Sequence, residues 1–145
     1  MKLVVQRVIK AQLSVDKKVI SSIGKGYVVL VGMSKDDTQT KAAALAEKLS
    51  KLRVMGDDDG KMNLSIGNAH GEILVVSQFT LLGDTTGGNR PSFINAARPE
   101  VAKPLYDYFV DRLISLGCSV QTGVFGADMK IDTTLDGPVT ILIEN

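Results

Sequence analysis

Two uninterrupted apolar runs most constrain how this chain folds: Tyr27 to Met33, and Ile73-Leu74-Val75-Val76. Both are rich in β-branched residues, and Gly24-Lys25-Gly26 punctuates the chain just before the first. They read as buried strands, the Tyr27–Met33 run as a central one. Around them lie more β-leaning stretches: Leu3 to Val8, Leu13 to Val15 before a turn at Asp16-Lys17-Lys18, Val19 to Ile23, and Arg53 to Met55 before Asp57-Asp58-Asp59-Gly60. Ser119–Thr122, Lys130–Leu135 and Val139–Ile143 complete the expected strands.

Helical spacing appears twice. Ala42, Leu45, Leu49 and Leu52 share one face of a helix that Asp36 or Asp37 is placed to cap, because a carboxylate accepts from unpaired first-turn amides. Val101, Leu105, Phe109, Leu113 and Leu116 form the stripe of a second helix, which Gly117 ends. Pro104 removes an amide donor, so the regular part of this helix is expected to begin there. No repeat, linker or low-complexity stretch divides residues 1–145, which read as one α/β domain.

Composition narrows the function. A 145-residue chain with 44% hydrophobic and 23% charged residues can bury a real core. Its net charge of +1 argues against wrapping a duplex, since phosphate neutralisation supplies most non-specific affinity. A nucleic-acid partner would be met at a small feature such as a terminus. No apolar run approaches a bilayer-spanning length, and Met1 to Arg7 is charged too early for a signal peptide. The lone Cys118 excludes an intrachain disulfide and fits a reducing compartment, so a cytoplasmic location is expected.

Chemistry-bearing motifs are sparse. The Asp57-Asp58-Asp59-Gly60 run lacks the ligand register of a calcium loop and reads as a solvated turn. Gly24-Lys25-Gly26 lacks the third glycine of a dinucleotide loop, and no Walker lysine is present. With one histidine, His70, and one cysteine, neither a zinc site nor any other metal or cofactor is expected. Cys118 reads as a small buried hydrophobe, although a dyad with His70 stays open. Ser77 and Thr80 lie outside any serine-hydrolase elbow and have no sequence-evident base, with His70, just before the same strand, a weak candidate. The runs that stand out are Ser77-Gln78-Phe79-Thr80, Asn89-Arg90-Pro91-Ser92-Phe93 and Gly137-Pro138-Val139-Thr140. They put small, polar, conformationally special residues beside apolar strands, where main-chain atoms can face a ligand. Taken alone, Asp136-Gly137-Pro138 is a turn between two strands, with a trans peptide the commoner geometry.

Together these runs resemble the D-aminoacyl-tRNA deacylase family. Val5-Gln6-Arg7-Val8, Asp59-Gly60-Lys61-Met62-Asn63, Ala97-Arg98-Pro99-Glu100, Gln121-Thr122-Gly123 and Phe125-Gly126-Ala127-Asp128-Met129 extend the likeness along essentially the whole chain. The resemblance implies a mostly antiparallel, barrel-like sheet with two main amphipathic helices, and a homodimer with active sites at the subunit interface. Ser77, Gln78, Phe79 and Thr80 would line a pocket for the 3′-terminal adenosine and its aminoacyl ester, with Phe125 and Met129 forming another wall and Arg90 a phosphate contact. Phe79 and Thr80 would carry catalysis through their main-chain amides, and the substrate's 2′-hydroxyl would help activate water. Gly137 and Pro138, joined by a cis peptide, would enter the partner's pocket, hold the α-amino group and exclude an L side chain. Glycine, without a side chain, would pass.

Three departures from the family pattern bear on this. Leu82-Gly83 stands where Tyr-Ala is common, Thr85-Thr86-Gly87-Gly88 lacks the usual basic residues, and Leu135 often has Asn in its place. Rival readings are a relative with a trans Gly-Pro peptide acting on small L-aminoacyl-tRNA, a non-catalytic RNA-end binder, and an esterase with Thr80 or Cys118 as nucleophile.

Overall fold

The computed structural model describes every residue from Met1 to Asn145. Both apolar runs are buried strands: β3 (Gly26–Gly32) and β6 (Glu72–Ser77) pair in parallel at the centre of a six-stranded sheet. Their sequence shows no alternation because both faces are covered. Tyr27, Val29, Val31, Ile73 and Val75 enter the larger core, whereas Val28, Leu74 and Val76 enter a second, smaller one. That two-residue switch is the pleat of a strand.

The long strand β1 (Lys2–Val15) organises the rest. It pairs antiparallel with β2 (Lys18–Ile23), with β3, and along its other edge with β8 (Lys130–Glu144). β7 (Ser119–Thr122) lies parallel to β6 on the far side. A short antiparallel pair, β4 (Met55–Gly56) and β5 (Met62–Leu64), stands apart. The sheet curls enough for Ser21 Oγ on β2 to donate to the Thr122 carbonyl on β7, at 2.5 Å. The result is the expected nearly closed, barrel-like sheet, antiparallel wherever β1 pairs and parallel from β3 through β6 to β7.

Both helices pack on one face of the sheet. In α1 (Gln39–Ser50), Ala42, Leu45 and Leu49 are buried as expected. The cap is Thr38, which accepts from the Lys41 amide, and not Asp36 or Asp37. Asp37 is buried and committed elsewhere: it accepts from the Met1 ammonium at 2.6 Å and from the Ser34 amide at 2.7 Å. A buried ammonium is the stronger claim on a carboxylate than an exposed helix end.

The other helix, α2 (Pro99–Ser115), starts five residues earlier than Pro104 suggests, with Pro99 in its first turn. Pro104 is exposed, and its missing donor would have met a carbonyl in the solvated first turn, so the helix runs through it. The buried stripe is Ala102, Leu105, Tyr106, Phe109, Val110 and Leu113, and Val101 faces out. Gly117, at φ +83°, closes the helix as expected: its amide bonds Ile114 O, and the Cys118 amide bonds Leu113 O.

Two further expectations need correction. The Leu3–Val8 and Leu13–Val15 stretches are one strand, since β1 has partners on both edges and continues through its polar middle. Lys130–Leu135 and Val139–Ile143 are likewise one strand. Asp136-Gly137-Pro138 is no hairpin turn; β8 absorbs it as an irregularity opposite Gln6 to Lys10.

Candidate active site

Strands β3, β6 and β7 run parallel, and the chain leaving the C-terminal end of each lines one cleft of about 630 Å³. Met33 follows β3, Ser77-Gln78-Phe79 closes β6, and Phe125 to Met129 follows β7. The carboxyl ends of parallel strands are where ligands gather in α/β sheets, because connecting loops diverge there. Five of the residues singled out in the sequence, Ser77, Gln78, Phe79, Phe125 and Met129, therefore meet in one cavity.

Beyond Ser77 the chain tightens into a single 3-10 turn, Phe79–Leu82, anchored by the Gln78 amide on Val31 O at 2.8 Å. At the open start of that turn, the Phe79 and Thr80 amides take no acceptor from the chain. Thr80 is exposed beside the cleft, and its Oγ1 accepts from the Gln78 side-chain amide. Arg90 is exposed on the neighbouring loop, outside the lining. That loop is closed by Asp84 and Ser92, which exchange two main-chain hydrogen bonds of 2.8 Å. Thr86, bonding Asp84 through both its amide and hydroxyl, holds the Asp84 carboxyl below its usual range.

The lining contains no histidine, cysteine, lysine or glutamate. Its one carboxylate, Asp128, is exposed and paired with Lys130 at 3.2 Å. His70 is exposed just before β6, while Thr80 follows its other end. A six-residue strand at about 3.3 Å per residue puts roughly 20 Å between those ends, so His70 is no base for Thr80. Cys118 is half-buried against the larger core at the same end as His70, and burial pushes its thiol up. No group of three or more His, Cys, Asp or Glu side chains is placed to hold a metal ion.

The sequence reading missed Met33, Phe93 and the Ala96–Pro99 segment as walls. Phe93 packs edge-on against Phe79, with ring centroids 5.0 Å apart. Both Phe93 and Ala97-Arg98-Pro99 lie in the runs quoted above; what the sequence lacks is any sign that they fold back beside Ser77.

Gly137 and Pro138 are elsewhere. Their peptide bond is cis, and Gly137 has φ +122°, where a Cβ would meet Val139 Cγ2 at 2.8 Å. Through the pairing of Val8 with Leu135 and Gly26, and of Gly26 with Glu72, the kink lies level with the start of β6 and three strands away from it. The cleft is at the opposite end. Arg7 braces the kink: Nε bonds Asp136 O at 3.3 Å and Asp136 Oδ2 at 3.0 Å, and Nη1 bonds Val54 O at 2.7 Å. An arginine amid the apolar residues of a central strand was the available signal for that role.

A family model described as D-Tyr-tRNA(Tyr) deacylase matches residues 4–144. The chain belongs to this family. Among the family's curated members, the D-aminoacyl-tRNA deacylase of Symbiobacterium thermophilum is 54% identical over 142 residues, covering 98% of this chain and 94% of that protein. The deacylase of Thermoanaerobacter sp. is 52% identical over 145 residues, covering 100% and 97%. A solved structure described as c-Myc DNA Unwinding Element Binding Protein superposes with a TM-score of 0.94 at 40% identity, covering 100% of this chain and 99% of that one. Another, described as a probable eukaryotic D-amino acid tRNA deacylase, shares the fold with a TM-score of 0.82 at 18% identity, covering 98% and 97%.

Proposed function

We propose that this chain is a D-aminoacyl-tRNA deacylase that hydrolyses the ester between a D-amino acid, or glycine mischarged on tRNA-Ala, and the 3′-terminal ribose. The observation that carries the reading is the convergence of Ser77-Gln78-Phe79 and Phe125–Met129 on one cleft, in a chain about half identical to relatives of that name over nearly its whole length. An aromatic, largely apolar wall beside polar side chains and free amides suits an unpaired RNA end.

Water adds to the ester carbonyl carbon, and the bond from that carbon to the ribose 3′-oxygen breaks. The water's proton ends on the departing oxygen, relayed by the neighbouring 2′-hydroxyl. The open amides of Phe79 and Thr80 receive the developing oxyanion, an arrangement typically worth about 10²–10³ in rate per donor. The lack of a base in the lining supports substrate assistance. A Thr80 nucleophile is the second reading, and the Gln78 amide donating into Oγ1 weighs against it.

Chiral selection we assign to Gly137 and Pro138 of a second copy, in a homodimer acting in the cytoplasm. Support comes from the kink's distance from its own cleft and from the open outer edge of β8. Leu135 and Leu142 are exposed there, Leu142 at 61%. Carbonyls of the kink would hold the α-amino group and leave no room for an L side chain, a steric rejection. No helix is long and apolar enough to cross a membrane.

The test compares purified protein on D-tyrosyl-tRNA, L-tyrosyl-tRNA and a D-ester whose terminal ribose lacks the 2′-hydroxyl. Rapid release from the first alone is expected. Equal release from both mirror-image esters would refute the chiral assignment, and full activity on the deoxy substrate would refute substrate assistance.

A further inference from the structure

The segment Arg90 to Arg98 belongs to neither helix nor strand, yet it is fixed beside the cleft. Ala97 N bonds Met33 O at 2.9 Å, Lys35 N bonds Asn95 O at 3.1 Å, and Ser34 bridges Ala96. On this ordered frame the chain exposes apolar surface that a solvated loop has no use for: Ile94 is 77% exposed and Phe93 37%. Three cations belong to the same frame: Arg90 and Arg98 stand at its two ends, and Lys35 is bonded to it through its amide. Lys35, Arg90 and Arg98 are all exposed, and none forms an ion pair.

Phe93 lines the cleft on one side and reaches this surface on the other, so the patch continues the substrate site outward. Aromatic and aliphatic surface on a segment that also carries unpaired cations is complementary to an unstacked base with its phosphates. We propose that this patch seats the nucleotide preceding the terminal adenosine, its base against Phe93 and Ile94 and its flanking phosphates among Lys35, Arg90 and Arg98. The proposal rests on the reading that the cleft takes the aminoacyl-adenosine, and it locates the next contact of the same RNA strand. It also accounts for a near-neutral protein holding RNA: few phosphates are touched, all at one rim.

Binding of non-hydrolysable 3′-amide analogues tests it. One is a D-aminoacyl adenosine, and the other carries a cytidine 5′ to that adenosine. Wild-type protein should bind the dinucleotide about tenfold more tightly, in line with base stacking on apolar side chains. In Ile94→Ser combined with Lys35→Gln, two exposed positions outside the cleft lining, that gain should fall to about twofold or less. Affinity for the mononucleoside should stay unchanged. The dinucleotide's salt dependence should also flatten, by about 0.7 in slope for each phosphate that is no longer neutralised. A wild type that binds the mononucleoside but gains nothing from the cytidine overturns the proposal, as does a gain that survives both substitutions. Hydrogen-exchange protection of residues 90–98 that depends on protein concentration and not on RNA overturns it too, by assigning the patch to a second copy. Failure to bind even the mononucleoside would instead sink the underlying deacylase reading.

Discussion

Gly32→Ala is the sharpest test of a site built from main-chain amides, because it touches no substrate. Gly32 ends β3, directly beneath the 3-10 turn that presents Phe79 and Thr80. Its backbone is outside the region reserved for glycine, so alanine meets no dihedral penalty there and only space decides. A Cβ at this position would stand 2.6 Å from Leu82 Cδ2, 2.9 Å from Leu81 Cβ and 3.1 Å from Gln78 O. The Leu82 tip can swing away. Leu81 Cβ and the Gln78 carbonyl move only with the turn itself. Restoring an ordinary carbon contact of roughly 3.5–4.0 Å needs the turn to retreat by about 0.6–1.1 Å at Leu81. A misplacement near 1 Å can cost about 10²-fold in turnover, and overpacking of this kind costs about 1–3 kcal/mol of stability. The expected variant folds, melts somewhat lower, and loses about 10- to 100-fold in kcat on D-tyrosyl-tRNA. Gly56→Ala, where a Cβ meets nothing within 4 Å, is the control and should change neither quantity. Wild-type kcat in a folded Gly32→Ala protein would refute the idea that the amide geometry of this turn drives hydrolysis.

Thr80→Ala should lose less than about tenfold in kcat if its hydroxyl only supports the turn; a nucleophile's loss would be on the order of 10⁴ or more. Asp37→Asn leaves the buried Met1 ammonium without its counter-charge and should lower stability by about 3–5 kcal/mol in urea unfolding; an unchanged midpoint would contradict that assignment. Burial pushes the Tyr27 phenol up to about 12, with Arg7 partly opposing. Because the folded value lies above the ordinary 10, its contribution is complete below pH 10 and is lost as pH rises towards 12. Tyr27→Phe should therefore flatten the alkaline fall in melting temperature over that window. If each cleft is completed by the partner's kink, mixing Gly32→Ala with Gly137→Val should regenerate about a quarter of the native sites by subunit exchange, whereas sites confined to one chain would regenerate none.

Those elements whose cause is local were legible in the sequence. The apolar runs became β3 and β6, the Ala42–Leu45–Leu49 stripe became the buried face of α1, and Gly117 closed α2. Where the reading erred, a distant partner had decided the outcome. Thr38 replaced Asp37 as helix cap because residue 1 claims Asp37 from across the fold. β1 is unbroken because β2, β3 and β8 pair along its two edges, and no window of its own sequence reveals that. The site divides the same way. Ser77-Gln78-Phe79 is contiguous, with Phe125 and Met129 in a second short run. Met33, Phe93 and Arg98 join them only because the 33–37 turn is hydrogen-bonded to the 93–97 segment.

That division is how one small sheet would serve the two tasks proposed for it. Parallel strands β3, β6 and β7 end together, and their diverging loops leave a cavity whose main chain is unspent. β8 runs on the other side of β1, antiparallel and at the sheet's outer edge, where an irregularity such as Gly137-Pro138 disturbs no second neighbour. Had the kink been built into β3 or β6, it would have broken the ladder that fixes the 3-10 turn. Placed on an edge strand and braced by Arg7 to Asp136 and Val54, it is rigid, exposed and out of reach of its own cleft. Under the proposed function, the molecule such a surface would meet is a second copy of the chain.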